Sequence, residues 1–433
     1  MTPQTSFMVV ARLARSNVAS TRALLATMNS APGVANPANG LVPFGQFENL
    51  HFARFVVMDD QTIADLTNLY GIQRPEPPVY LAFLGDIDGD YGSFINELVR
   101  RAEAGLRRIF SCCEDFSPSE DLKSWLIAHE YRPAAYYFNW VGRTVRQTKE
   151  EERLRIALRD RLYAATGLSE QPPQQIHQTL RTFYAAKPEL QLTPDSPTPF
   201  AWSIRHAIDW CLLAALLIGG VVTLPITLIP ALILILMVRM SEKSAPEYSP
   251  RPDAAWAAGL AEQEDFDVTN QFSVMGSLKP GALHSFLMAA VMKIVNLTAR
   301  TIYTKGRLAR VYTIHAARWV YLDNGTRMYF ASNYDGSLDS YMDDFINKVA
   351  FGLNVAFTNG VGYPRTRFLL LGGAKDEQHY KYHLRRHQLP TDVWYNAHAG
   401  LTAFDLHRNS VIRQGLETAS LGERESRDWV ALL

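Results

Sequence analysis

Residues 210–238 read WCLLAALLIGGVVTLPITLIPALILILMV, a run of 29 residues without a charged side chain. An apolar run longer than about 18 residues predicts a membrane-embedded segment. A straight helix of this length would measure about 44 Å, which exceeds the roughly 30 Å hydrocarbon core of a bilayer. Gly219, Gly220, Pro225 and Pro230 interrupt the middle of the run. The stretch therefore predicts either a hairpin that dips into the membrane and returns, or one kinked span.

The flanking charges favour the hairpin. Arg205 and His206 precede the run, and Arg239 and Lys243 follow it. Positive charge marks the cytoplasmic side, and here both ends carry it. We therefore predict a hairpin at a cytoplasmic or intracytoplasmic membrane, with the soluble parts on the cytoplasmic side. A single span and a buried pair of soluble helices remain alternatives. The candidate membrane residues are Trp210, Leu216, Gly219, Gly220, Pro225, Pro230 and Leu236.

The overall composition limits the class of protein. A chain of 433 residues has room for two or three domains. Basic and acidic side chains balance at 43 each, so net charge does not indicate a nucleic-acid partner. Cys112, Cys113 and Cys211 are too few for a disulfide framework and are interpreted as reduced thiols. Residues 1–13 lack the pattern of a cleaved signal peptide.

An internal repeat flanks the apolar run. Residues 50–58 (LHFARFVVM) match residues 314–322 (IHAARWVYL), and residues 83–99 align without gaps to residues 330–346. Predicted strands and helices follow one another in the same β-α-β-β-α-β order in both copies. We therefore predict an internally duplicated chain. The aligned pairs are His51 with His315, Arg54 with Arg318, Asp88-Gly89 with Asp335-Gly336, and Tyr136-Tyr137 with Trp394-Tyr395.

This element order predicts an α+β protein with two ferredoxin-like βαββαβ repeats that form a pseudo-dimer. It resembles the dimeric α/β-barrel superfamily, over about residues 5–165 and 270–418. A hairpin between the repeats would let them pair on one side of the membrane. The predicted order is repeat 1 (1–170), a proline-rich linker (171–204), the membrane hairpin or span (205–240), a second linker (241–268) and repeat 2 (269–433).

The recurring polar residues are the candidate site: His51, Arg54, Asp88, His315, Arg318 and Asp335. On a strand, a histidine and an arginine three positions apart face opposite sides unless a bulge intervenes. We favour a structural interpretation, in which each arginine pairs with the repeated aspartate of its own copy. The alternative comes from a distant resemblance to dye-decolourising peroxidases, whose Asp-Gly motif places an aspartate and an arginine beside haem. Gly85 matches that motif, whereas Ser332 replaces the glycine in the second copy.

A histidine triplet suggests a weaker site. His379, His383 and His387 are four residues apart and would share one face of a helix. This spacing can bind a metal ion, but Lys381 and the Arg385-Arg386 pair lie between the histidines and would repel a cation. We therefore predict no metal site and interpret this face as solvated or as an interface.

The absence of a specific catalytic motif favours a non-enzymatic function. The leading hypothesis is an accessory or assembly subunit that stabilises a larger membrane complex, of a bioenergetic, photosynthetic or respiratory kind. Its expected partners are membrane lipid and other membrane protein subunits. The alternative is a haem- or peroxide-dependent oxidoreductase that acts on an apolar substrate delivered by the membrane. A carrier of lipid or another hydrophobic ligand is a third possibility.

Overall fold

The structure is a computed structural model that describes residues 1–73 and 75–433. It shows a mixed α/β protein in which two mainly antiparallel sheets pack face to face, with helices on their outer surfaces. The layer between the sheets is apolar and takes side chains from both of them, for example Val10 and Val56 from one sheet and Val320 and Tyr329 from the other. Each sheet is therefore buried on two faces, which explains the almost continuous apolar strands of the sequence.

The first half of the molecule comprises residues 1–170. Its strands are β1 (Gln4–Leu13), β2 (Asn29–Ala31), β3 (Val34–Ala35), β4 (Leu50–Met58), β5 (Val79–Asp88) and β6 (Ala135–Phe138). Its helices are α1 (Val18–Ala26), α2 (Ala64–Tyr70), α3 (Tyr91–Phe110), α4 (Leu122–Ala128) and α5 (Val145–Ala164). Helix α3 begins where the side chain of Asp90 accepts a hydrogen bond from the Ser93 amide, an ordinary N-cap.

The central segment holds three helices, α6 (Pro173–Ala185), α7 (Phe200–Ser244) and α8 (Ala254–Ala261). The second half comprises residues 269–433. Its strands are β7 (Thr269–Ser277), β8 (Ile314–Leu322), β9 (Arg327–Asp335), β10 (Thr366–Arg367), β11 (Leu371–Gly372) and β12 (Val393–Asn396). Its helices are α9 (Ala282–Thr301), α10 (Leu338–Phe357), α11 (Glu377–His387), α12 (Ala403–Glu417) and α13 (Glu423–Val430).

The two halves exchange a strand. The first sheet has the order β1-β5-β4-β12-β3-β2, so β12 of the second half pairs with β4 of the first. The second sheet has the order β6-β8-β9-β7, so β6 of the first half pairs with β8 of the second. The sequence predicted the order of these strands but not the exchange, because strand order along the chain does not specify which sheet a strand joins.

Aligned positions of the two halves take the same local conformation. Helices α3 and α10 both leave helical geometry at one residue, Ala102 in the first half and Val349 in the second. These residues are at equivalent positions in the gapless alignment of residues 83–99 with 330–346, extended along the helix. The exchanged strands also agree, since Tyr136 lies opposite Arg318 and the aligned Trp394 lies opposite Arg54. Sequence similarity between the copies therefore extends to backbone detail.

The predicted hairpin is wrong in its local structure. Residues Phe200–Ser244 form one helix of 45 residues that includes Pro225 and Pro230. A proline removes one backbone hydrogen bond and bends a helix without having to end it. The Gly-Gly pair and the two prolines predict a turn, but in the structure the helix continues through all four residues.

Both ends of α7 nevertheless return to the same part of the molecule. Asp209 pairs with Arg300 near the end of α9, and Ser241 bonds His284 near its start at 2.9 Å. On straight helices, Asp209 and Ser241 would be about 48 Å apart, whereas His284 and Arg300 are only about 24 Å apart. Helix α7 therefore bends between its two anchors, and its middle leaves the body of the protein.

Candidate functional site

The recurring histidines each contact the aspartate of their own half. His51 Nε2 lies 2.9 Å from Asp88 Oδ1, and His315 Nε2 lies 2.6 Å from Asp335 Oδ1. All four side chains are buried. The register of β4 against β5, and of β8 against β9, shifts at these histidines. The bulge that the sequence analysis named as an exception is therefore present in both copies.

The same aspartates also accept a hydrogen bond from the first turn of a helix. Asp88 Oδ2 accepts a hydrogen bond from the Val145 amide at the start of α5, at 2.8 Å. Asp335 Oδ2 accepts one from the Ala403 amide at the start of α12, also at 2.8 Å. A carboxylate is favourable at this end of a helix, where amide groups lack partners inside the helix. Each aspartate thus joins the bulged strand, through its histidine, to a helix that follows the exchanged strand.

The favoured pairing of each arginine with the aspartate of its own copy is wrong. Arg318 reaches into the first half, where Nη1 donates to the carbonyl oxygens of Phe7 at 2.8 Å and Gly85 at 3.1 Å. Its Nη2 donates to Asp86 Oδ1 at 2.6 Å. The bulge interrupts the alternation of side chains between the histidine and the arginine. The aspartate is then held by the histidine, and the arginine crosses between the sheets.

Arg54 makes the matching bonds in the opposite direction. It donates to the carbonyl oxygens of Phe272 and Ser332, each at 3.0 Å, and to the side chain of Asn333. Burial lowers the pKa of Arg54 to about 10. The two networks differ in their side-chain acceptors, since Arg318 bonds the Asp86 carboxylate, whereas Arg54 bonds the neutral Asn333 amide and, at 3.1 Å, the Ser273 hydroxyl. The two arginines are thus reciprocal connections between the sheets, and each bonds protein acceptors through both of its terminal nitrogens.

Sequence reasoning missed His398, which lies beside His51. His398 Nε2 is 2.8 Å from His51 Nδ1, and no described residue is hydrogen-bonded to its buried Nδ1 atom. Burial, with His51 and His315 nearby, holds the pKa of His398 well below its ordinary value. His398 has no histidine counterpart in the first half, where Trp140 occupies the aligned position. Because His398 does not recur, the alignment of the two copies does not identify it.

This cluster does not fit haem. The cavity beside His51, His315 and His398 has a volume of about 20 Å³, enough for about one water molecule. The Nε2 atoms of His51 and His315 are already bonded to carboxylates, and both arginines are held between the sheets. Gly85 is required by packing, because a Cβ atom there would lie 2.4 Å from the Phe52 carbonyl oxygen. The match of Gly85 to the peroxidase motif thus has a structural explanation.

The histidine triplet is divided between two environments. His379 is exposed and pairs with Asp376, whereas His383 and His387 are buried, with ring centroids 4.1 Å apart. Burial lowers the pKa of both buried rings. Among residues 1–73 and 75–433, no group of three histidine, cysteine, aspartate or glutamate side chains is placed to hold a metal ion.

The apolar helix is the most exposed feature of the molecule. Within the described residues, α7 and α9 are long and apolar enough to cross a membrane by length and composition. Between residues 214 and 233 almost every side chain of α7 is exposed, including Leu216 at 60 % and Ile226 at 80 %. The remaining predicted membrane residues lie on the same helix: Trp210, Gly219, Gly220, Pro225, Pro230 and Leu236.

Comparisons with known proteins give no relative. No protein-family model, no curated protein and no solved structure matches this chain.

Proposed function

We propose that this protein is a membrane-bound accessory subunit, whose α/β body lies on the cytoplasmic face and whose helix α7 enters the bilayer beside other membrane subunits. The exposed apolar middle of α7 carries this proposal. In water, some twenty consecutive exposed apolar residues would be strongly unfavourable, at about 25 cal/mol for each Å² left uncovered. A bilayer or an apolar partner removes that cost.

The anchors of α7 favour entry and return on one side. Glu242 is buried and accepts hydrogen bonds from the amides of Phe368 and Leu369, at 2.8 and 2.7 Å, and from the Thr366 hydroxyl at 2.9 Å. At the other end, Asp209 is buried against Arg300. Both ends are therefore fixed to the second half of the body, and the bent middle forms an arch.

The second half exposes more large apolar side chains than the first half does. In the first half, the large apolar side chains that are exposed are Ile127, Ile156 and Tyr163. The second half exposes a larger set, namely Phe286, Ile294, Ile302, Tyr312, Phe351, Phe368, Leu370, Leu371 and Phe404. The β10–β11 hairpin that binds Glu242 carries three of these residues, Phe368, Leu370 and Leu371. This distribution supports an orientation in which the second half faces the membrane.

The backbone of α7 favours a protein partner in addition to lipid. Pro225 and Pro230 lack the N–H groups that would bond the carbonyl oxygens of Val221 and Ile226. The hydroxyls of Thr223 and Thr227 are used inside the helix, on the carbonyls of Gly219 and Thr223. A carbonyl without a donor is unfavourable in hydrocarbon, where neighbouring helices or water must supply one. Polar groups of a partner subunit would satisfy these two sites.

We also infer that the body is a fused pseudo-dimer of two ferredoxin-like units with exchanged fourth strands. The reciprocal Arg54 and Arg318 networks support this inference, as do the matching kinks in α3 and α10. The oxidoreductase alternative has no comparable support, since the recurring histidines bond the aspartates of their own halves and the arginines connect the two sheets.

Two experiments test the proposed function. Flotation of the full chain with liposomes should recover it in the lipid fraction, and Ile226→Lys should reduce that fraction strongly because a charge at the bilayer centre is unfavourable. The matched control is Ile127→Lys, an exposed isoleucine of the first half, which should float normally. Native mass spectrometry of the complex extracted in mild detergent should then show additional protein chains in fixed stoichiometry. Equal flotation of the two variants, or native mass spectra that show this chain without any other, would contradict the proposal.

A further inference from the structure

The second half contains an apolar cavity of about 240 Å³ between its sheet and helices α9 and α10. The walls are formed by Trp319 and Phe330 on the sheet, Val295 on α9, and Val349 and Gly352 on α10. The volume exceeds the roughly 150 Å³ of an engineered apolar cavity that stays dry and binds benzene. The cavity is therefore large enough for a hydrocarbon group of roughly ten carbon atoms, by comparison with benzene.

The equivalent space in the first half is filled by the chain itself. Residues 27–49 join α1 to β4 there and place Val42, Phe44 and Phe47 in the core, each fully buried. In the second half, the shorter segment of residues 302–313 joins α9 to β8. The space beside the sheet is thus filled by side chains in the first half and is a cavity in the second half.

A pair of aligned glycines shows the difference at one position. Gly105 on α3 faces the Leu41 backbone so closely that a Cβ atom would lie 1.9 Å from the carbonyl oxygen. Gly352 occupies the aligned position on α10 and lines the cavity, and a Cβ atom there would meet nothing within 4 Å. The space around Gly352 is therefore available to a ligand.

Two residues of the cavity wall lie in a cationic segment of the chain. Leu308 and Ala309 line the cavity within the segment KGRLAR, whose exposed cations are Lys305, Arg307 and Arg310. None of these three takes part in an ion pair with a described residue. Ala309 has a positive φ of 53°, which a turn between Leu308 and Val311 enforces with hydrogen bonds of 2.9 and 3.0 Å. A non-glycine residue in this region is strained, which is a feature of ligand sites.

The cavity wall also carries an unsatisfied donor. The indole N–H of Trp319 is buried, and no described residue accepts its hydrogen bond. Such a group is unfavourable unless an acceptor reaches it.

We propose that this cavity binds the hydrocarbon chain of an anionic amphiphile, a fatty acid or an anionic phospholipid, with its acidic head at Lys305, Arg307 and Arg310. Both sources share a hydrocarbon chain and an anionic oxygen head. The exposed Phe351 beside the cavity, on the half with the apolar surface, gives such a molecule a route from the bilayer. The binding site itself is independent of the partner subunit proposed above.

Tryptophan fluorescence of the full chain, kept soluble in amphipol, tests the site. Titration with a brominated medium-chain fatty acid should quench a saturable part of the emission, and Trp319→Phe should remove that part. Gly352→Leu should fill the cavity and abolish saturable quenching, while Asn347→Leu, on the exposed face of α10, should bind normally. Charge reversal at Lys305, Arg307 and Arg310 should weaken binding of the acid by about tenfold, equal to about 1.4 kcal/mol, and leave the corresponding alcohol unaffected.

Native mass spectrometry of protein purified from membranes distinguishes the two sources by mass, since a bound fatty acid is far lighter than a phospholipid. Saturable quenching that persists in Gly352→Leu, or that is equal in the wild type and in Trp319→Phe, would overturn the proposal. Normal circular dichroism of Gly352→Leu separates loss of binding from loss of folding.

Discussion

The two halves of this protein share one framework and differ in what fills it. In the first half, α3 packs on a core that includes Val42, Phe44 and Phe47, and few large apolar side chains reach the surface. In the second half, the equivalent helix α10 borders an open apolar cavity, and many large apolar side chains are exposed. The difference supports the proposal that the second half, rather than the first, faces the membrane.

The largest expected effect separates the two reciprocal arginines. Arg318→Met removes the cation that is hydrogen-bonded to the fully buried Asp86 carboxylate, which should lower the free energy of unfolding by about 3–5 kcal/mol. Arg54→Met leaves only Asn333, Ser273 and backbone carbonyls without their donor, and we expect a smaller loss of about 1–3 kcal/mol. Urea unfolding of both variants measures the difference. Equal losses would show that the Asp86 charge does not distinguish the halves.

The residue that precedes the exchanged strand carries a carboxyl group in the second half only. Asp392 precedes β12 and accepts a hydrogen bond from the Val57 amide at 2.7 Å, whereas the first half has Ala134 at the aligned position. Burial raises the pKa of Asp392 to about 6. The folded carboxyl therefore keeps a proton that the unfolded chain, with a pKa near 3.9, has released.

The contribution of Asp392 to the stability should consequently fall as the pH rises from about 4 to about 6, by on the order of 3 kcal/mol, because each pKa unit corresponds to about 1.4 kcal/mol. Asp392→Asn should lack this contribution and be more stable than the wild type at neutral pH. Unfolding in urea across this pH range checks the slope. An identical pH dependence of both proteins would show that Asp392 does not cause the loss of stability.

The aligned glycines give a smaller pair of effects with opposite signs. Gly105→Ala forces a methyl group against the Leu41 backbone and should destabilise the protein by about 1–3 kcal/mol. Gly352→Ala places the methyl group in open space and should stabilise the protein by about 0.5–1 kcal/mol, since alanine is the better helix former. Thermal unfolding of the two variants measures both. Destabilisation by Gly352→Ala would mean that the second half is as densely packed as the first.

Much of the framework could be predicted from the sequence. The strands β1, β4 and β5, the helix α3 and the apolar run of α7 follow from the pattern of apolar residues, and the structure places all of them as elements. The bulge at His51 and the kink at Ala102 cannot be predicted from the periodicity of apolar residues. The strand exchange was missed for a related reason, because pairing partners are chosen by long-range contacts.

The site was predicted less well than the framework. Alignment of the copies identified His51, Arg54 and Asp88 with their counterparts, but it assigned the arginine to the wrong partner. The correct partner, Asp86, has Asn333 at the aligned position, so a search for conserved pairs between the copies passed over it. The cavity was also beyond prediction, since an empty volume depends on which residues are absent from the space beside Gly352.

The central claim is that α7 enters the membrane and returns, with the second half of the body against the bilayer. Single cysteines at Ser203, Thr223 and Ser244, in a chain whose own Cys112, Cys113 and Cys211 are replaced, test it directly. In sealed membrane vesicles of one orientation, a membrane-impermeant maleimide should label positions 203 and 244 equally and leave position 223 protected. Labelling of 203 and 244 from opposite sides of the membrane would show a single span and would contradict the account.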